Sequence, residues 1–167
     1  MAAHGRDRLR LLEAALARLG AGRCVDIPVF VAGHSAWGEG RGERLTPLEL
    51  PERAYAVVKP PCDVPTAEIF QAPELTRNSP PMTISGFLSS GGGNDSLRAM
   101  LNRYPAVGEA LQWLGQHGEA RLTGTGACVY AAFDDWNEAQ AVVASVPAGY
   151  EAFAARGVNQ SSLLALT

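Results

Sequence analysis

Two strand-like runs, residues 120–122 and 128–131, are separated by Gly124-Thr125-Gly126 within the stretch LTGTGACV. A strand that runs into Gly-Thr-Gly must turn sharply or let another group approach its backbone closely. Glycine permits both, because it lacks Cβ and takes φ > 0 at little cost. The stretch therefore brings two consecutive strands close together, as in a hairpin. Successive N–H groups in such a loop can also form a concavity that attracts anions. From these residues alone a plain turn and an anion cradle are both open, and one loop can be both.

The rest of the chain supplies partners for that pair. Residues 8–19 read as an amphipathic helix with Leu9, Leu12, Leu16 and Leu19 on one face and Gly20 as its stop. Residues 25–31 alternate as a strand, with Val25, Ile27, Val29 and Val31 on one side and Asp26, Pro28 and Phe30 on the other. Pro28 cannot donate to a ladder, so the strand is placed at an edge. The chain then turns at Gly33, returns as a strand over 35–39, turns again at 40–42, and runs as a connector over 45–51. A domain boundary is expected near Leu50, giving domains 1–50 and 51–167.

Residues 54–58 form a short apolar run of buried-strand type, ended by Pro60-Pro61. Thr66 is expected to cap a short helix through Phe70. The span 72–96 is rich in loop residues, with a short helix over 84–88 and the glycine run 91–93 as a flexible connector. A helix over 94–103 is capped by Asn94 or Asp95. Pro105 suits the first turn of the next, where its missing N–H costs nothing. Val107, Ala110, Leu111 and Leu114 follow at helical spacing. Strands at 121–123 and 128–133 flank the glycine loop. Asp135 and Glu138 form a capping-box pattern for a helix through Ala144. Residues 150–156 are the last strand and 157–162 a terminal loop. Strands with one apolar face, joined by helices and a tight loop, predict an α+β fold: an antiparallel sheet with helices on one face, ferredoxin-like in arrangement.

Bulk properties exclude several classes. Apolar residues make up 47% of the chain, enough for a core and against disorder. The net charge of −3 comes without a basic block, which argues against nucleic acid as a partner. No apolar run approaches a membrane span, and the chain does not open on a signal-peptide pattern. Cys24, Cys62 and Cys128 are odd in number and far apart, so neither a disulfide framework nor a zinc pattern follows. Reduced thiols in a cytoplasm fit best. Oligomeric state is not readable.

Several separate motifs, in order, resemble those of the GHMP kinases, small-molecule kinases named for galactose, homoserine, mevalonate and phosphomevalonate. LTGTGACV is similar to the third signature of that family. VDIPVFVAGHSAWGEGRGERLTP resembles the segment holding its catalytic aspartate, and PTAEIF its substrate-stacking segment. PELTRN, the Asn94-Asp95 pair and RGVNQSS complete the series, so that the resemblance runs over residues 25–162. It is to the branch acting on a cytidyl diphosphate substrate in the non-mevalonate route to isoprenoids.

The resemblance implies that 51–167 is a GHMP kinase C-terminal domain and 1–50 a remnant of the N-terminal domain. Asp26, by its residues alone only an acid on a strand, would take or orient the proton of the acceptor hydroxyl as that oxygen attacks the γ-phosphorus of ATP. Gly124, Thr125 and Gly126 would lie against the phosphates. Phe70 would stack on the cytosine ring, with Pro65 and Thr66 in the same substrate-binding segment. ATP and Mg²⁺ would be the cofactors, with no metal held by a dedicated protein cluster. The family's lysine signature and its Gly/Ser-rich phosphate loop belong to an N-terminal half without counterpart in this sequence. The opening MAAHGRDRLR matches nothing familiar. The true start is therefore expected upstream, and the chain is expected to be inactive alone. Two competing readings are a non-catalytic ligand-binding α+β module and a GHMP kinase with another acceptor. Phe70 and PTAEIF speak against the second. Keeping Asp26, Phe70 and the glycine loop together speaks against the first.

Overall fold

The computed structural model describes residues 27–40, 42–162 and 164. The helix expected at 8–19, Asp26 and Cys24 lie outside the described residues. The chain divides into two compact units. One takes the residues up to Glu52 together with those from Val158 onward, and the other runs Arg53–Gly157. Residues 158–162 thus group with the first unit rather than with the domain that precedes them.

In the first unit, α1 spans Ile27–Ala32, where alternation predicts a strand. The strand reading is corrected for a physical reason. Among the described residues the neighbouring strands β1, Ala36–Glu39, and β2, Arg44–Pro47, pair only with each other. A helix satisfies its backbone groups from within and needs no ladder partner. Pro28 lies in the first turn, where its fixed φ is an asset, and it is the buried residue of the helix. Gly33, with φ +67, ends it by donating its N–H to the Val29 carbonyl at 3.0 Å, a left-handed cap of the usual kind. The connector expected after Gly42 is instead the second arm of a hairpin, with Trp37 opposite Thr46 and Glu39 opposite Arg44.

The second unit is an antiparallel four-stranded sheet. β3 spans Ala54–Lys59, β4 Arg121–Leu122, β5 Val129–Phe133 and β6 Glu151–Arg156, in the order β4-β5-β3-β6. β3 is central, pairing Val57 with Tyr130 on one side and with Phe153 on the other. Its burial alternates, with Ala54, Ala56 and Val58 buried, as a sheet covered on one face requires. Between β3 and β4 come α2, Thr66–Gln71, α3, Ile84–Ser90, α4, Leu97–Arg103, and α5, Pro105–Leu114. α6, Trp136–Ala144, joins β5 to β6. The expected α+β class and antiparallel sheet are what the structure has.

The core lies between the sheet and these helices. Ile69 of α2, Met100 of α4, and Val107, Ala110 and Leu114 of α5 are fully buried with Val58, Val129 and Ala131 of the sheet. Burying each of the larger aliphatic side chains is worth about 1.5–3 kcal/mol. Alanines 54, 56, 99, 110, 131 and 139 keep that layer thin enough for close helix–sheet contact. α6 is set by Asp135, whose carboxylate accepts the Asn137 N–H. The Arg156 guanidinium, 4.4 Å from the Trp136 ring centroid, ties the head of α6 to β6. Two expected caps are corrected. Pro65, not Thr66, is the N-cap of α2, and Ser96, not Asn94 or Asp95, is the N-cap of α4. In each case the side chain expected to cap is engaged elsewhere.

Candidate functional site

The loop between β4 and β5 is held from three sides. Gly126 N–H donates to the Thr123 carbonyl at 2.7 Å, and Thr123 N–H to the Cys128 carbonyl at 3.0 Å. The Thr123 hydroxyl also donates to Cys128 O, at 3.1 Å. Gly124 and Gly126 have φ of +45 and +88. Gly126 sits on the core, since a Cβ there would fall 2.5 Å from Met100 Cε. Gly124 faces open space, with nothing within 4 Å of such an atom. One glycine therefore lets the loop pack inward and the other leaves its backbone open to approach.

Thr66 opens α2, and its hydroxyl lies 3.2 Å from the Thr125 hydroxyl. That contact joins two segments far apart in sequence, the PTAEIF helix and the glycine loop. It also explains why Thr66 does not cap its own helix. Phe70, four residues on and so on the same helix face, is 57% exposed. A large aromatic left that open beside polar groups suits a flat base that stacks on it. Pro65, with φ −66 and ψ 115, sets the extended entry to the helix.

Two arginines lock the position of α2. Arg77, from the PELTRN motif, donates through Nη2 to the Phe70 carbonyl at 2.6 Å. Through Nη1 it reaches the carbonyls of Ala72 and Leu75, both at 3.2 Å. It thereby satisfies carbonyls at the C-terminal end of α2. Arg103 bridges Glu68 at 3.4 Å and Glu74 at 3.3 Å. The Tyr104 hydroxyl donates to Glu68 Oε2 at 2.7 Å. Ile69, fully buried, anchors the same turn from below.

The Glu68 carboxylate, by accepting the phenol hydrogen bond, holds Tyr104 above the ordinary phenol range, and burial adds to the shift. The sign follows by linkage. Below the ordinary value of about 10 the phenol is neutral in both folded and unfolded chains, and its contribution is whole. As pH rises through the higher folded-state value, that contribution is lost. The unfolding midpoint of the wild-type chain should therefore exceed that of Tyr104→Phe at neutral pH, and the gap should close in the alkaline range. A gap that stays constant up to pH values well above 10 would remove this bond from the docking of α2.

Asn94 is the site residue that sequence reasoning missed. It is not a cap of α4. Its Nδ2 donates to the carbonyls of Leu122, at 3.2 Å, and Gly124, at 2.7 Å, while its Oδ1 accepts the Ser96 N–H at 2.9 Å. Nothing in the sequence distinguishes this from a cap, because the acceptors come from residues 28 and 30 positions away. A groove of about 700 Å³ lies beside it, lined by Gly91–Gly93, Leu101, Leu111 and Tyr130, among others. Thr66, Phe70 and Thr125 do not line it. Asp26 lies outside the described residues; of the other expected site residues, the structure sets Thr66 against Thr125, with Pro65 and Phe70 flanking Thr66 in the same segment. Among the described residues no group of three His, Cys, Asp or Glu side chains could hold a metal ion. Mg²⁺ that enters with a nucleotide is commonly held by phosphates and one or two carboxylates, and needs no such cage. No helix among the described residues is long and apolar enough to cross a membrane.

Residues 89–152 match the family model for the C-terminal region of GHMP kinases. A curated 4-diphosphocytidyl-2-C-methyl-D-erythritol kinase from Nitrosococcus oceani is 48% identical over 149 residues, 89% of this chain and 53% of the relative. The enzyme of the same name from Thiobacillus denitrificans is 49% identical over 152 residues, 91% of this chain and 53% of the relative. That from Methylococcus capsulatus is 49% identical over 160 residues, 95% of this chain and 53% of the relative. The chain thus spans about half the length of the curated relatives it matches. A crystal structure of 4-(cytidine 5'-diphospho)-2C-methyl-D-erythritol kinase matches 78% of this chain and 52% of its own, with a TM-score of 0.67 and 24% identity. At that identity the likeness concerns the fold.

Proposed function

Because this chain belongs to the GHMP kinase family, we propose that it carries the acceptor side of a phosphoryl-transfer site. In it the γ-phosphate of ATP would pass to the 2-hydroxyl of 4-diphosphocytidyl-2-C-methyl-D-erythritol. The observation that carries the reading is the 3.2 Å approach of Thr66 to Thr125. It sets the base-stacking helix against the loop whose amides suit phosphate oxygens. Phe70 stacks on the cytosine, and Pro65 and Thr66 border the diphosphate. The residues 124–126 offer backbone donors to charge that builds on the transferred group. Asp26 accepts the proton of the attacking hydroxyl. A new oxygen–phosphorus bond forms as the bond from the γ-phosphorus to the bridging oxygen breaks. Little covalent work is asked of the protein, since phosphoryl transfer depends mostly on positioning and charge stabilisation. Mg²⁺ accompanying ATP would neutralise part of the phosphate charge. The reaction is assigned to the cytoplasm, the compartment that reduced thiols suit; Cys62 and Cys128 are free.

The test is a coupled ADP-release assay with ATP, Mg²⁺ and the cytidyl substrate, run on two proteins. The 167-residue chain alone should show no turnover above a buffer blank. Positioning both reactants is worth about 7–11 kcal/mol in favourable cases, and that term is absent where one reactant lacks its site. A chimera that adds the portion of a relative this chain does not span should turn over. In that chimera Phe70→Ala should raise KM for the cytidyl substrate, because losing one base stack costs roughly 1–3 kcal/mol. An interaction equal in ground and transition states appears in KM. Unchanged KM would take Phe70 out of the base site, and an inactive chimera would favour a ligand-binding module.

A further inference from the structure

Asn94 uses its whole amide. Its Oδ1 takes the Ser96 N–H, and its Nδ2 holds two loop carbonyls, Leu122 O and Gly124 O. Flipping the amide would set an oxygen against two carbonyl oxygens, so the donor assignment is forced by its acceptors. The consequence lies on the far side of the peptide. The Gly124–Thr125 peptide is trans. In a trans peptide the C=O and N–H point in opposite directions across a rigid plane. With Gly124 O drawn to Asn94 at 2.7 Å, the Thr125 N–H must point away from it. Neither Gly124 N–H nor Thr125 N–H donates to an acceptor among the described residues. The same logic holds two peptides earlier. Leu122 O turns to Asn94 while the Thr123 N–H across that plane reaches Cys128 O at 3.0 Å.

We propose that Asn94 is a positioning residue that aims the Thr125 N–H outward, so that the loop meets a phosphate oxygen with a preset donor. The inference rests on the phosphoryl-transfer reading of the loop and adds to it the residue that orients the donor. Preset donors matter because a group that need not reorganise during reaction stabilises developing charge more than one that must turn. Asn94 comes from the head of α4, whose Met100 also supports Gly126. The residue leading into this helix and Met100 within it therefore set the two ends of the glycine turn.

Two substitutions separate aiming from turn formation. Asn94→Asp keeps an acceptor for the Ser96 N–H but sets a carboxylate oxygen against the two carbonyls. Asn94→Ser keeps a weaker acceptor of the same kind, adds no charge, and is too short to span to the loop. Both are made in the 167-residue chain, labelled with ¹⁵N, and the probe is inorganic pyrophosphate. The Ser96 amide should stay near its wild-type position, whereas the Thr125 amide and the Gly124 Hα–Thr125 HN NOE should change in both variants. In wild type the Thr125 amide should move on titration with pyrophosphate, and the apparent affinity should fall about tenfold or more in Asn94→Ser, as for loss of a hydrogen bond to a charged group. Wild-type values of the Gly124–Thr125 NOE in both variants would overturn the aiming role while leaving the kinase reading intact. A wild-type Thr125 amide indifferent to pyrophosphate would instead overturn the phosphate-facing role of the loop, and with it the purpose assigned to Asn94. If the aspartate variant fails to fold, the serine variant decides the matter.

Discussion

Replacing Asp26 with asparagine, in a chimera that supplies the rest of a relative's length, should lower kcat by about 10²–10⁴-fold, the usual cost of losing a general base. KM for ATP should change little. The expectation comes from the sequence, where Asp26 opens Asp-Ile-Pro-Val-Phe within the segment that resembles the catalytic aspartate's. Asparagine matches the size of the side chain and can still hydrogen-bond a hydroxyl. It cannot take the proton released when that oxygen bonds to phosphorus. An interaction made only in the transition state lowers kcat and kcat/KM together, and that is the pattern to look for. A variant that turns over near the wild-type rate would remove Asp26 from the mechanism. Loss of activity through raised KM alone would make it a binding group.

The second large effect is on stability. Gly126→Ala should destabilise the chain by about 2–4 kcal/mol, from two sources. A residue with Cβ held at φ +88 costs about 1–2 kcal/mol. The added methyl also meets Met100 Cε at 2.5 Å and Leu122 Cδ1 at 3.4 Å, and overpacking costs about 1–3 kcal/mol. Met100 is fully buried, yet its thioether end is adaptable, which keeps the total toward the lower half of that range. Gly124→Ala is the control. It has φ +45 with nothing within 4 Å of the new atom, so only the backbone cost of about 1–2 kcal/mol remains. Denaturant unfolding of both variants measures the difference, provided the slope stays constant. Equal losses would mean that Met100 yields freely and that Gly126 is required for its φ alone.

The sheet was legible in the sequence because each of its strands carries a local signal. Residues 54–58 are a bare apolar run, and the pair flanking Gly124–Gly126 is broken by residues that only a turn would use. Pro105 at the head of α5 and Asp135 at the head of α6 likewise act on their own neighbours, within one turn. Fold class and the loop follow from such short-range chemistry, whereas Phe70 stood out only through the resemblance to the GHMP kinases, and its exposure is a finding of the structure. The segment at 27–32 did not, although its β-branched alternation is strong. A strand exists only with a partner, and whether one lies alongside is not written in the strand's own residues. The left-handed Gly33 that closes α1 reads equally well as a turn after a strand.

The site's assembly was hidden for the same reason. By residue type Thr66 and Asn94 are helix caps, and local preference makes that the natural assignment. Both are instead spent on the glycine loop, Thr66 on the Thr125 hydroxyl and Asn94 on two carbonyls. Glu68 is an ordinary first-turn acid until Tyr104 and Arg103 reach it. What the sequence by itself determined was which segments turn, which bury an apolar face, and which residue types could serve phosphate and base. The tertiary structure alone decided which of those polar groups meet. Hydrogen bonds between residues about 30 to 60 positions apart depend on where sheet and helices place them, and no local preference encodes that distance.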